Sequence, residues 1–256
     1  MEENHIQDLI TNLRNKCHEH EEDVKYSKYK CDKCNDTGWI LIRNEDKAPT
    51  AIRCKCSEND RIEGQWRRAG LSIENRNLTF SNFEVWNESS QMSKENAIRY
   101  YKNFNKIKMT RQNSIIFCGQ VGSGKTHLAI ALALNFIQNL SIKVRYMSYR
   151  ESIMELKQNI LDCTAYNARI SQYKMCEILL IDDLFKGKIT DTEINIMYEI
   201  FDYRYKNNKP IIISSELMID ELIMKDEALG SRIFEMTRDY LIIIKRDKRN
   251  NYRIRI

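Results

Sequence analysis

From Thr79 onward, short apolar runs alternate with helical periodicities. The runs are "SIIFC", "KVRYMS", "EILLIDDL" and "PIIISS"; between them lie a helix through "KTHLAIALALNFIQ", helices from Tyr149 to Lys174, and a helix from Thr190 to Asn208. Strands that are apolar without alternation are buried on both faces. Their regular exchange with helices predicts an α/β fold, a parallel sheet covered on two sides. The helix after Thr190 opens on "TDTE", a capping-box pattern, and spaces Ile194, Tyr198, Phe201 and Tyr205 along one side. At the end, "YLIIIK" and "YRIRI" around the polar "RDKRNN" predict a hairpin or two edge strands.

The front of the chain follows another pattern. Residues 1–25 are highly charged, with Ile6, Leu9, Ile10 and Leu13 spaced as one face of an amphipathic helix. Residues 26–60 carry two cysteine pairs, and residues 61–78 read as a polar linker to a domain spanning 79–256. With 256 residues and 42% hydrophobic content, the chain can bury one substantial core and support a small appendage. The opening residues lack the apolar run of a secretory signal, and no window approaches the ~18 apolar residues of a membrane span. A soluble, cytoplasmic protein is the expectation. Net charge is +5, and residues 238–256 hold seven Lys or Arg against two Asp. That local excess suits an anionic partner, although such runs are more commonly a solvated surface.

"GQVGSGKT", Gly119 to Thr126, matches G-x-x-x-x-G-K-[ST] between a predicted strand and a predicted helix. Gly122 and Gly124 permit backbone conformations that bring N–H groups against phosphate oxygens. Lys125 is expected to reach the β and γ phosphates, the helix aims its positive end at the same anion, and Thr126 is expected to coordinate Mg²⁺. The nucleotide-binding set is therefore Gly119, Gln120, Val121, Gly122, Ser123, Gly124, Lys125, Thr126 and His127. "EILLIDDL" places Asp182 and Asp183 at the end of a buried strand. Asp182 is the expected Mg²⁺ ligand, through bound water, and Asp183 the group that orients or deprotonates the attacking water.

Half of the eight cysteines, Cys31, Cys34, Cys54 and Cys56, fall in one window as C-x-x-C and C-x-C. Two such pairs can set four thiolates around one tetrahedral ion, for which zinc is the usual occupant and an iron–sulfur cluster the chemical rival. His18 or Cys17 lie farther off as substitute ligands. Between the pairs, Gly38 suits a turn and the run from Trp39 to Ile42 a minimal apolar core. Such a segment would draw much of its folding free energy from the metal. Cys118, Cys163 and Cys176 stand apart in apolar contexts and read as small core residues.

In order, "CDKCNDTGWI", "RCKC", "LTFSNFEVWN", "GQVGSGKTHLAIALA", "ILLIDDL" and "LGSRIFEM" make residues 29–256 resemble the bacterial and phage helicase-loader ATPases of the DnaC/DnaI type. Those are AAA+ proteins close to the replication initiator and to the IstB-type insertion-sequence helper ATPases. The resemblance implies an AAA+ P-loop core behind a small four-cysteine zinc-binding module. It also implies ATP- and Mg²⁺-dependent ATPase activity, engagement of the replicative hexameric helicase, its delivery to single-stranded DNA, and self-association through the ATPase domain. It further implies an arginine finger at Arg232, a nucleotide-contacting arginine at Arg253, and a polar group on the "PIIISS" strand, Ser215 or Ser214, facing the γ phosphate. Where many relatives close that strand with asparagine, this chain has Glu216, which raises the prospect of slow hydrolysis. An IstB-like transposition helper and a zinc-dependent adaptor that uses ATP as a binding switch are the alternative readings.

Overall fold

The computed structural model describes residues 29–44 and 47–254, so the amphipathic pattern at residues 1–25 lies outside the described residues. The chain divides into two compact units, at Arg61 and Ile62.

In the first unit, strand β1 (Trp39–Asn44) pairs antiparallel with β2 (Lys47–Arg53), Trp39 opposite Arg53 and Leu41 opposite Ala51. Asn35 and Asp36 take positive φ, and the Asp36 carboxylate accepts the Cys31 N–H at 2.9 Å, closing the turn between the first two cysteines. Helix α1 (Lys55–Ala69) then starts inside the second cysteine pair. The stretch 61–78 holds the second half of α1 and a 3₁₀ turn at Ile73–Asn77. The Trp39–Ile42 run does not form an apolar core. Trp39, Leu41 and Ile42 are 49%, 65% and 40% exposed, because a two-stranded hairpin has no second layer to bury a face.

In the second unit, helix α2 (Glu88–Ile107) precedes strand β3 (Ile115–Gly119), helix α3 (Lys125–Leu140) and strand β4 (Val144–Ser148). Helices α4 (Tyr149–Gln158) and α5 (Cys163–Met175) lead to β5 (Ile178–Asp182), then α6 (Asp191–Lys206) and β6 (Ile211–Ser215). Short α7 (Ile219–Lys225), α8 (Glu227–Thr237) and β7 (Leu241–Ile244) complete it. All five strands are parallel, in the order β4-β5-β6-β3-β7. Alternate residues feed two cores, as strand geometry requires. Ile115, Phe117, Leu180 and Ile212 join α2 and α3 on one side, while Ile116, Cys118, Leu179, Ile181 and Ile213 join α4 to α8 on the other.

Four local expectations are corrected. The Thr190 cap makes no side-chain bond, because Glu193 is drawn away to accept from Tyr149 Oη and Lys157 Nζ, each at 3.1 Å. The buried stripe of α6 runs Ile196, Met197, Ile200, Phe201 and Arg204 rather than through Tyr205. Arg204 goes inward because its guanidinium donates to the carbonyls of Tyr173, Cys176 and Pro210 at 2.6–3.0 Å, satisfying loop ends that nothing apolar could. Cys163, at the start of α5, is exposed and Cys176 only partly buried; Cys118 alone of the three is core. Finally, β7 is a parallel edge strand with no hairpin partner among the described residues, and Tyr252–Ile254 forms a 3₁₀ turn. The Tyr252 N–H donates instead to the Gly122 carbonyl at 2.9 Å, so the chain end folds onto the loop after β3.

Helix α2 has no counterpart in the hydrophobic pattern. Its inward face is Ser90, Ser93, Ala97, Tyr100 and Phe104, correctly spaced but half small and polar. Asn87 and Ser90 start it with a reciprocal capping box.

Candidate functional site

The strand order decides where the site sits. Because β3 lies beside β6, and β5 on β6's other side, the ends of these strands converge at one edge. The loop from Gly119 to Lys125 leaves β3 there, at the crevice where parallel sheets take ligands. Gly122 and Gly124 have φ of +70° and +83°, and a Cβ on either would meet the Asn251 side chain or the Phe83 ring within 2.6 Å. Only glycine permits that curl, which leaves successive N–H groups free to point at an anion.

Lys125 is 5% exposed and donates to the carbonyls of Gly119 at 2.9 Å and Gln120 at 2.5 Å. Burial pulls its ammonium down to about 8, opposed by the carboxylates of Glu216 and Asp183. Thr126 Oγ1 donates to Asp182 Oδ1 at 2.7 Å, so the hydroxyl and carboxylate expected at Mg²⁺ meet. Asp182 also accepts from Ser214 Oγ and, at 3.2 Å, from Tyr146 Oη. A nearly buried carboxylate with three hydroxyl donors is held in one orientation.

A cavity of about 360 Å³ opens beside the loop, lined by Val121 to His127, Asp183, Lys186, Glu216 and Arg253. Against the loop its wall is aromatic: Phe83 stands edge-on to His127 with centroids 5.1 Å apart, and Trp86 meets Tyr252 at 5.2 Å. His127 is anchored by the Thr79 carbonyl at 2.8 Å, and burial lowers its pKa. The Trp86 indole nitrogen is buried without a hydrogen-bond partner among the described residues. A planar heteroaromatic group with acceptor atoms fits such a wall, and a polyphosphate fits the glycine loop. The residues therefore suit ATP. Leu78, Phe83 and Trp86 stand in "LTFSNFEVWN", quoted for the resemblance but given no role, and Tyr252 was not singled out, since aromatic residues at a distance in sequence carry no periodic signal. The dense "FSNFEVW" segment is the trace they leave.

Ser215 and Arg232 do not line this cavity, the latter being expected at the nucleotide of a neighbouring copy. Ser215 is fully buried; its hydroxyl donates to the Leu184 carbonyl at 2.8 Å and accepts the Leu217 N–H at 3.2 Å, so it does not face the cavity. Arg232 is outside the cavity wall, with its guanidinium on Asp202 at 3.3 Å and over the rings of Tyr198 and Tyr205.

Gly119 has φ +110°, and a Cβ there would lie 2.1 Å from the Ile244 carbonyl oxygen, a backbone atom that cannot move without parting β7 from β3. Gly119→Ala is expected to cost roughly 3 kcal/mol or more, about 6–12 °C in a domain of this size. A thermal melt within 2 °C of the parent would refute this.

In the first unit, Cys31, Cys34, Cys54 and Cys56 bring their sulfurs within 4.8 Å of one another. Cys31 and Cys54 are 3.7 Å apart, Cys34 and Cys56 3.3 Å. No pair is a disulfide, and the spacing approaches the ~3.8 Å edge of a tetrahedron with ~2.3 Å zinc–sulfur bonds. The Lys33 and Cys34 amides draw the Cys31 thiol down to about 7, while its hydrogen bond to Cys34 pushes the Cys56 thiol up. The cluster could bind a metal ion.

Residues 61–254 match the family described as IstB-like ATP binding protein. The protein YqaM of Bacillus subtilis (strain 168) is 41% identical over 213 residues, 80% of this chain and 67% of that one. The phage-like element PBSX protein XkdC of the same organism is 36% identical over 226 residues, 86% and 84% of the two chains. The crystal structure of the DnaC helicase loader superposes with a TM-score of 0.56 at 23% identity, covering 68% of this chain and 100% of that one. At that identity the likeness is one of fold, the AAA+ P-loop arrangement.

Proposed function

Because the chain belongs to the IstB-like ATP-binding protein family, we propose that it is an ATP-dependent helicase loader. On this reading it engages a replicative hexameric helicase and delivers it to single-stranded DNA. The observation that carries the ATP requirement is the Thr126–Asp182 hydrogen bond beside the glycine cradle, which joins the two groups a magnesium nucleotide needs. Bound ATP would supply the γ phosphate for hydrolysis. Lys125 and the loop amides hold the phosphates, Thr126 and Asp182 hold Mg²⁺, Asp183 at the cavity wall orients water, and Arg253 contacts the nucleotide in cis. Arg232 acts between copies, released from Asp202 to reach the nucleotide of a neighbour.

The helicase assignment draws on the DnaC-like fold and on the cysteine cluster ahead of it. Zinc in that cluster would stiffen a hairpin whose Trp39 and Leu41 stand exposed on one face, a surface suited to docking. Among the described residues no helix is long and apolar enough to cross a membrane. Co-purification with the host helicase in the presence and absence of ATP is the test. An ATP-sensitive complex is expected; capture of a transposase instead, with no helicase, would replace this reading with the transposition-helper one. The adaptor reading, in which turnover is negligible, is favoured by Glu216 in the cavity wall and would be excluded by hydrolysis that rises with single-stranded DNA.

A further inference from the structure

Three residues beyond Asp183 the chain presents a cation that no motif predicts. In the loop 183–187, Asp183, Phe185 and Gly187 have φ of 57°, 59° and 96°. Two non-glycine residues hold the left-handed region only where their surroundings impose it. The anchors here are explicit. The Asp183 N–H donates to Ser214 Oγ, the Leu184 N–H to the Ser214 carbonyl, and Ser215 Oγ to the Leu184 carbonyl, each at 2.8 Å. The Phe185 ring is buried against Tyr149, centroids 5.5 Å apart. So the end of β6, including Ser215, serves to shape this loop.

The shape sends Lys186 into the nucleotide cavity. Its Nζ lies 2.7 Å from Asp183 Oδ2 and 3.1 Å from Glu216 Oε1, and all three residues line the same wall as Lys125 and Thr126. A carboxylate at the end of β6 would by itself repel a terminal phosphate. Bridged by an ammonium, it no longer does. The Lys186 side chain is 38% exposed, its stem is flexible, and a half-exposed ion pair is cheap to rearrange, so the ammonium can meet an incoming anion while it stays beside Glu216.

We propose that Lys186 is a second phosphate-facing cation, a positioning residue that neutralises Glu216 and gives the site its preference for ATP over ADP. This rests on the ATP-binding reading above. The pairing explains how the chain tolerates Glu216 where a neutral side chain would otherwise be expected, since charge is balanced locally across two strand ends.

The test is titration of ATP and ADP, with Mg²⁺, into the full-length parent, Lys186→Met, Glu216→Gln and the double variant. Lys186→Met is expected to weaken ATP by about tenfold, the scale of leaving the Glu216 carboxylate uncovered before a terminal phosphate, and ADP by less than about twofold. Retained ADP binding reports that this variant is folded. The double variant is expected to recover ATP affinity to within about threefold of the parent, because the uncovered carboxylate is gone, and Glu216→Gln alone is expected not to weaken ATP. Equal losses for ATP and ADP, an unchanged ratio, or no recovery in the double variant would overturn the proposal while leaving ATP binding intact. A Lys186→Met protein that did not fold would leave the double variant and Glu216→Gln to decide by the same criteria. A parent that bound neither nucleotide would overturn both readings.

Discussion

With the proposed metal in the cysteine cluster, chelation is expected to unfold the cysteine module and leave the nucleotide site competent. The hairpin has almost no other support: among its described residues only Cys34 and Cys54 are buried, and Ile52 is 43% exposed. A structural zinc site contributes on the order of 10–16 kcal/mol to folding, far beyond what a segment of this size gains from apolar burial. The phosphate loop and sheet belong to the other compact unit, which has its own two cores. Hydrogen exchange should therefore show amides of residues 39–44 and 47–53 losing protection after chelation or in Cys54→Ala, with those of residues 115–119 and 211–215 unchanged. ATP affinity should stay within about twofold. Hairpin amides equally protected with and without chelator would mean that the cage is not what folds the module. Metal analysis of the purified protein separates zinc from an iron–sulfur cluster.

Lys125→Ala is expected to remove ATP binding while the fold survives. The ammonium is the only side-chain cation of the phosphate loop itself, and the surrounding burial makes its pairing with phosphate strong and its replacement by water poor. Loss of about 3 kcal/mol, a hundredfold or more in affinity, is the expected size. Stability should not fall with it, because folding no longer has to desolvate an ammonium held by only two carbonyls. Calorimetric titration paired with a thermal melt measures both. ATP affinity within fivefold of the parent would sink the assignment of Lys125, and through it the reading of the loop.

The two results bear on different halves of the proposal. Nucleotide binding by the rear unit with metal-dependent order in the front unit is what a loader needs if ATP is to govern a docking surface. Helicase binding that survived chelation unchanged would detach the cysteine module from that role.

Much of the sheet was legible because parallel strands buried on both faces are written as unbroken apolar runs, and "SIIFC", "EILLIDDL" and "PIIISS" coincide with β3, β5 and β6. The phosphate loop was legible because it is local: its glycines, lysine and threonine act within one turn and must stand at fixed spacing. The cysteine cluster was legible for a similar reason, as two close pairs need only a hairpin to meet. Chemistry carried by neighbours in sequence survives as a pattern.

What tertiary structure alone decided is the chemistry made by residues remote in sequence. Glu193 abandons its cap for Tyr149 and Lys157, and Arg204 turns inward to satisfy carbonyls from other elements, choices that helix periodicity cannot encode. Ser215 sits on the expected strand but points into the protein, because a single step along a strand exchanges its faces. The aromatic wall of Phe83, Trp86 and Tyr252, and the meeting of Lys186 with Glu216, depend on which strand ends lie side by side. That order, β4-β5-β6-β3-β7, is a property of packing layers and crossovers rather than of any segment. So the sequence by itself determined the parallel sheet, the glycine cradle and the cysteine cage, and the assembled sheet decided which side chains face one another across them.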